Sequence, residues 1–558
     1  MATFFETHRK TLDQALEAIR TRGYFSAYPE VPSGKIYGET AKDDGAAAFQ
    51  GRLNSTFEIK DQPGKTGTVG DERSPFGLAL NIKYPKTDLN TLLPAMQKAI
   101  PAWRDAGIEA RVGVCLEMLH RLNRRSFELA SAVMHTTGQG FMMAFQAGGP
   151  HAQDRGLEAV AYAYAEMTRT PAAATWAKQV SKTDTVTLKK TYQILPRGVA
   201  VTVGCSTFPT WNGYPGIFAS LATGNAVCVK PHPLAVLPLA LSVEIGRQVL
   251  REAGFDPNLL TLVVDSADAP ITKELVTRPE VKIVDYTGSS EFGTWIEQNA
   301  KQAIVFTEKA GVNSTIVDSI ADLKAFTGNL AFSLCLYSGQ MCTTPQNIYI
   351  PRDGITVGGE KKSFDEVAGA IVKAVDWFLS EPARASEVLG AIQNERTAAR
   401  IQQARGEGGT VVRDSTAMKN DAFPEARVHS PLIVKLDASK DARLFSRELF
   451  GPITYLIATR DTAESIALAA KTARDHGAIT CGIYSTDAAT LKRAQAEMAD
   501  AGVATSCNLT GAIYVNQAAA FSDFHVCGAN PAGNATLCDG AFVANRFRVV
   551  QSREMASV

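Results

Sequence analysis

Five short apolar segments, separated by stretches of helical character, restrict the fold of this chain more than any other feature. They fall at residues 198–203, 226–229, 259–264, 281–286 and 303–306. A helical stretch ends near Gly224, a second spans residues 234–253, and a third begins near Ser289. Strands that alternate with helices predict a parallel sheet covered by helices, an α/β fold. Ligands of such sheets bind beyond the carboxyl ends of the strands. A second alternating region runs from about residue 325 to 510, and no internal repeat or low-complexity tract interrupts the chain.

The flanks read differently. Residues 7–21 suit an amphipathic helix, residues 31–75 are rich in Gly, Pro, Asp and Lys and read as loop, and residues 88–136 are helical. Residues 542–550 have strand character and suit pairing with another element or another subunit. A length of 558 residues predicts two to four lobes. The 57 basic and 57 acidic side chains cancel, which argues against a nucleic-acid partner. No apolar run approaches the roughly 20 residues that cross a bilayer, and the first residues do not form a secretory signal. The nine cysteines are odd in number and lack Cys-x-x-Cys spacing. They read as reduced thiols of a cytoplasmic protein, with no metal site.

Several segments carry potential chemistry. Cys342 follows the small residues Ser338 and Gly339. It reads either as a nucleophile, which needs a helix N-terminus or a base to become a thiolate, or as a buried structural thiol. Glu308 lies at the end of the fifth strand, 34 positions (342 − 308) upstream, and reads as a general base or as a solvated turn residue. Gly288, Ser289 and Gly293 open a helix after the fourth strand, a place for a phosphate or simply a turn. Lys230 before Pro231 suits a ribose or phosphate contact, or a plain surface. Glu448 and Phe450, before Gly451-Pro452, suit a binding turn or the end of a helix.

The order and spacing of these segments resemble the aldehyde dehydrogenase superfamily over about residues 90–555. The cysteine motif is matched at Gly339-Gln340-Met341-Cys342, and the general-base motif at Glu308, followed here by Lys309-Ala310-Gly311-Val312. Tyr286-Thr287-Gly288-Ser289 with Gly293, Gly224-Asn225 with Lys230-Pro231, and Glu448 with Phe450-Gly451-Pro452 match three more motifs. The resemblance implies a Rossmann-like cofactor domain at residues 71–182 and 197–308, and an α/β catalytic domain at 309–510. It also implies a small β oligomerisation element at 183–196 and 511–558, after an N-terminal extension at 1–70. It implies a homodimer or homotetramer whose tail strand pairs across subunits. It further implies that Cys342 attacks a small aldehyde, that a thiohemiacetal passes hydride to a nicotinamide, and that Glu308 activates water to hydrolyse the thioester. Lys230 and Glu448 would hold riboses, Ser289 would approach the pyrophosphate, and Phe450 the nicotinamide ribose.

Three departures matter. Thr207 of Cys205-Ser206-Thr207-Phe208-Pro209 stands where an oxyanion-hole asparagine is expected, and Asn212 is the alternative donor. After Lys230-Pro231 the run is His232-Pro233, without the carboxylate that many NAD-using members carry. This favours NADP over NAD, with Lys230 and His232 facing a 2′-phosphate. The variant at 205–209, the extension and the tail from Cys527 to Asn534 resemble the phenylacetate-degradation PaaN type. That type implies a ring-opened semialdehyde, free or CoA-linked. A CoA-acylating enzyme and a catalytically weak binding or assembly relative are the competing readings. Glu308 argues against the first, and Cys342 with Glu308 against the second.

Overall fold

The computed structural model describes residues 3–309, 311–525, 528–530, 532–533 and 538–556. Its first sheet has five parallel strands in the order Leu260–Leu262, Ala226–Lys230, Val199–Val203, Val281–Gly288, Ile304–Lys309. Every residue of Val199–Val203 and Ala226–Lys230 is buried, as a parallel sheet with helices on both faces requires. The strand order reverses beside Val199–Val203, which places a binding crevice at the carboxyl ends there. The predicted strands and intervening helices are all present, with boundaries moved by one to three residues.

The second sheet has seven strands. Six run parallel, from Leu432–Asp437 through Ile453–Thr459, Asn347–Pro351, Ser314–Val317 and Thr480–Tyr484 to Ala504–Cys507. Thr410–Arg413 pairs antiparallel at one edge. The cysteine loop sits at the amino ends of the second sheet's strands, where Asn313, just before Ser314–Val317, bonds the Cys342 carbonyl.

A third, antiparallel sheet has the order Phe547–Met555, Thr185–Pro196, Ala173–Gln179. The expected tail strand at 542–550 is displaced. Residues 540–544 form a short helix, and the strand comes after it and pairs within its own chain. The reason is Arg546. Its guanidinium turns inward between helix and strand and grips Asp285 at 2.8 and 2.6 Å, with both side chains buried.

Residues 31–75, expected as loop, contain the helices Gly34–Tyr37 and Ala41–Gln50 and the strand Lys65–Val69. Ala41–Gln50 buries only Gly45 and Phe49, too few apolar positions to give a periodic signal. Tertiary contact holds it: a Cβ at Gly45 would lie 2.5 Å from Phe127 Cβ, so only glycine allows this approach. The helix Phe4–Thr21 starts three residues before the predicted one and is capped by Thr3, whose hydroxyl accepts from the Glu6 N–H at 3.3 Å. It buries Phe5, Leu12, Ala15 and Ala18 against Ile108–Arg124 and Pro150–Thr168. The helices Leu89–Asp105, Ile108–Arg124 and Ser126–Thr137 fill the region predicted as helical.

Candidate active site

Cys342 owes its position to a tight left-handed turn. The helix Leu323–Cys335 ends, and Tyr337, Ser338 and Gly339 then take φ of 52°, 49° and 64°. Two of the three are not glycine, a conformation that costs roughly 1–2 kcal/mol each. Side-chain bonds hold them: Tyr337 donates its hydroxyl to the Thr137 carbonyl, and Ser338 donates to the Leu389 carbonyl at 3.0 Å. At Gly339 a Cβ would lie 2.4 Å from the Gly451 carbonyl oxygen, so the cysteine loop and the Glu448–Pro452 turn touch through bare backbone.

Buried amides hold the rest of the cysteine loop. Gln340 accepts from the Gln393 N–H at 2.9 Å and donates to the Ala391 carbonyl at 3.1 Å. Asn313 donates to the Cys342 carbonyl at 2.6 Å, while its oxygen accepts from the Ile479 and Thr480 N–H groups at 2.9 and 3.1 Å. No helix begins at Cys342, so the helix N-terminus considered as its activator is not there.

Around the sulfur the structure collects Glu308, Asn212 and His525. Their reactive atoms are close: Cys342 Sγ is 3.8 Å from His525 Nε2, and that nitrogen is 2.7 Å from Glu308 Oε1. Asn212 Nδ2 donates to Glu308 Oε2 at 2.8 Å, and Thr287 Oγ1 lies 3.5 Å from the same oxygen. Burial pushes the Glu308 carboxyl up, but His525, Cys342 and Asn212 together hold it below the usual carboxylate range. The Cys342 thiol is pushed well above its usual range by burial, and further by Glu308 and Cys205. The resting pair is therefore a thiol beside a carboxylate.

Thr207 does not reach this cluster. Its hydroxyl contacts Cys205 Sγ at 3.9 Å, and its carbonyl accepts from Gln139 Nε2 at 2.7 Å. The helix Pro209–Ala222 starts two residues later, and its first turn carries Asn212 inward instead. His525 was not legible in the sequence. It belongs to an irregular segment after residue 510, and only the close approach of that segment to the fifth strand brings the imidazole to Glu308. In the tail from Cys527 to Asn534, residues 527, 531 and 534 lie outside the described residues.

Cys342, Asn212 and His525 of this cluster line a cavity of about 630 Å³. Tyr24, Phe25, Phe208, Trp211, Phe332 and Tyr514 give it an aromatic wall. Tyr24 and Phe25 come from the N-terminal region. Phe25 meets Phe521 edge-on at 5.1 Å, and the Arg22 guanidinium lies 3.9 Å over Phe524. The N-terminal segment thus braces the loop that carries His525.

The predicted cofactor residues lie at the carboxyl ends of the first sheet. Lys230 is buried, and its ammonium sits 2.6 Å from Asp265, which lies just beyond the strand Leu260–Leu262. Asp265 was missed because no motif includes it. His232 Nδ1 accepts from the Leu234 N–H at 3.1 Å, and burial, with Lys230 nearby, pushes its pKa down to about 4. Ser289 caps the helix Ser290–Asn299, accepting from the Phe292 N–H at 3.4 Å. At Gly293 a Cβ would lie 2.6 Å from Lys309 Cγ, so glycine lets this helix close on the fifth strand. A Cβ at Gly288 would lie 2.4 Å from the Tyr286 hydroxyl. Across the crevice, Phe450 holds Arg400 through its carbonyl at 3.0 Å. The Glu448 carboxylate makes no hydrogen bond among the described residues, and burial, partly offset by Arg400, pushes it up to about 8. A carboxyl group without a hydrogen bond among the described residues and a helix N-terminus beside Gly288 fit the ribose and phosphate groups of a dinucleotide.

Comparison with known proteins agrees with this geometry. The model of the aldehyde dehydrogenase family matches residues 82–522. A crystal structure of an NAD-dependent aldehyde dehydrogenase from Burkholderia multivorans is 54% identical, superposes with a TM-score of 0.98, and covers 100% of both chains. The 1-pyrroline-5-carboxylate dehydrogenase of Bacillus licheniformis is 24% identical over 522 residues, 91% of this chain and 90% of that one. A Thermus 1-pyrroline-5-carboxylate dehydrogenase with bound NAD shares the fold, with a TM-score of 0.71 at 18% identity over 96% of this chain and 99% of that one. This chain belongs to the aldehyde dehydrogenase family.

Proposed function

We propose that this enzyme oxidises an aromatic or otherwise apolar aldehyde to its carboxylic acid, with NAD as the hydride acceptor. The observation that carries the reading is the Cys342–His525–Glu308 cluster, whose Cys342 and His525 line an aromatic cavity. Cys342 attacks the carbonyl carbon. The developing oxyanion takes hydrogen bonds from the Cys342 backbone N–H and Asn212 Nδ2, in place of Thr207. A nicotinamide dinucleotide, when bound, supplies the hydride acceptor. Lys230, Ser289, Glu448 and Phe450 would orient it, with Gly288 and Gly293 letting the helix Ser290–Asn299 pack on the fifth strand beside it. Glu308 then takes a proton from the water that opens the thioester.

NAD replaces the sequence-based preference for NADP. That preference needed free positive charge near a 2′-phosphate. The Lys230 ammonium is committed to Asp265, and His232 is neutral at pH 7. The similarity to an NAD-dependent enzyme at 54% identity points the same way.

A ring-opened semialdehyde of phenylacetate catabolism is one substrate that suits the cavity. A CoA thioester suits it less, because the cavity lining includes Glu30, Glu387 and Asp523, while His151, also in the lining, is paired with Glu30 at 2.7 Å. Those carboxylates would repel a polyanion. We further assign the antiparallel sheet to homo-oligomer assembly, because Val549, Val550, Met555 and Trp176 are exposed on it.

NADH formation with a panel of aromatic, aliphatic and CoA-linked aldehydes tests the reading, with Cys342→Ala run beside the wild type. Turnover by wild type and none by Cys342→Ala is expected. Undiminished turnover in Cys342→Ala would remove the nucleophile assignment.

A further inference from the structure

We propose that His525 is a third catalytic group, an N–H donor shared between the Glu308 carboxylate and the Cys342 sulfur. The inference rests on Cys342 being the nucleophile.

Among the described residues, no titratable group named as acting on the sulfur favours its anionic form. The titratable groups that raise it are Glu308, Cys205 and Glu448, and all are acidic. Beyond them, Arg155 lies 5.0 Å over the ring of Trp211, whose edge-on contact with His525 is 4.7 Å. Asp154 and Asp523 line the cavity, and Asp523 accepts from the Ala519 N–H at 2.8 Å.

The hydrogen bonds assign the imidazole its tautomer. Nε2 lies 2.7 Å from an ionised carboxylate, so it carries the hydrogen. Nδ1 is buried without a partner among the described residues. The donor role therefore rests on Nε2 alone. His525 thus points its Nε2–H at the cluster, and that nitrogen cannot take the thiol proton while it carries the hydrogen.

Glu308 takes that proton instead. The Cys342 S–H bond breaks, and the hydrogen ends on a Glu308 oxygen, which releases it to solvent before Glu308 acts on the hydrolytic water. The sulfur electron pair forms the S–C bond to the aldehyde carbon, and the carbonyl π pair moves to oxygen. As Glu308 becomes neutral, its hold on the His525 N–H weakens. The same N–H then turns to the sulfur, 3.8 Å away, and stabilises the anion as it forms. His525 keeps its proton throughout. One donor therefore keeps Glu308 ionised before the transfer and steadies the thiolate after it.

The test reads the sulfur directly. Carboxamidomethylation of Cys342 by iodoacetamide is monitored by peptide mass spectrometry across pH, on the full-length enzyme without cofactor. Wild type, His525→Leu and His525→Gln are compared. Leucine fills the space without a donor, and glutamine restores a side-chain N–H. The alkylation midpoint is expected to rise by about one pH unit in His525→Leu, an approximately tenfold slower reaction at neutral pH, with partial recovery in His525→Gln. Superimposable profiles for wild type and His525→Leu would overturn the proposal. A thermal melt of each variant keeps the comparison to folded protein, and His525→Gln carries the test if His525→Leu unfolds. The alkylation readout does not depend on turnover. Loss of the midpoint shift therefore removes the donor role, whereas turnover by Cys342→Ala removes the functional reading beneath it.

Discussion

The Lys230 ammonium lies 2.6 Å from the Asp265 carboxylate, and both side chains are almost fully buried. Burial pushes the Lys230 pKa down, and Asp265 works against that shift. A lysine committed in this way can offer a ribose a hydrogen bond, but little net charge to a phosphate. Asp265→Asn keeps an oxygen for the Ile271 N–H and releases the lysine charge. The ratio of kcat/KM for NADP to that for NAD is expected to rise about tenfold, roughly 1.4 kcal/mol. The melting temperature should fall, because a buried lysine loses its partner. An unchanged ratio in a folded variant would sink the charge argument.

Asn212 and Thr207 make opposite predictions. Asn212 contacts Glu308 beside the sulfur, whereas the Thr207 hydroxyl contacts Cys205. Asn212→Ala is expected to lower kcat by about 10²–10³, the usual effect of removing an oxyanion donor. Thr207→Ala should stay within about threefold of wild type. Steady-state kinetics on the two variants decides between them, and a larger loss in Thr207→Ala would restore the reading from sequence alignment.

The N-terminal wall predicts a change in specificity. Phe25 lines the cavity and packs on Phe521. Phe25→Ala is expected to raise KM for a bulky aromatic aldehyde about tenfold, the value of roughly 1–2 kcal/mol of aromatic contact. KM for a short aliphatic aldehyde should hardly move. Equal effects on both substrates would show that Phe25 only supports the loop.

Two buried histidines set the acid limit of stability. Burial pushes His135 down to about 4, and burial with Lys230 does the same to His232. His135 stacks on Phe49 at 5.1 Å and meets the Ser74 hydroxyl at 3.0 Å. In the unfolded chain each imidazole titrates near its ordinary value of about 6.5. Between about pH 4 and 6.5 the unfolded state therefore binds more protons. Stability is full above that window and falls as pH drops through it, by at most about 1.4 kcal/mol per unit for each histidine. Urea denaturation at pH 7 and pH 5 should show the loss. His135→Asn should flatten the slope, and an unchanged slope would contradict the assignment.

Arg546 ties the tail to the cofactor sheet. It grips Asp285 and donates to Ser220 at 2.7 Å, and its guanidinium lies 4.0 Å over Phe542. Arg546→Ala leaves the Asp285 carboxylate buried and unpaired, with an expected cost of about 3–5 kcal/mol. Equilibrium denaturation gives the figure, and a loss below about 1 kcal/mol would mean the pair is dispensable.

By itself the sequence determined the α/β class, the strand–helix order from 198 to 309, and the elements that carry Cys342, Glu308 and Glu448. Those features are local: runs of apolar residues, glycines at turns, and a motif spacing shared with a family. What it missed depends on long-range approach. His525 meets Glu308 across 217 positions, and Asp265 meets Lys230 across 35 (265 − 230). Asn212 rather than Thr207 enters the site because the helix Pro209–Ala222 sets which side chain faces inward. The Ala41–Gln50 helix forms because Phe49 and Gly45 dock on a neighbour, not because its sequence repeats. Local patterns record backbone conformation and burial. The ionisation and partners of a buried group depend on which distant side chains share its low-dielectric surroundings, and only the tertiary structure brings those together.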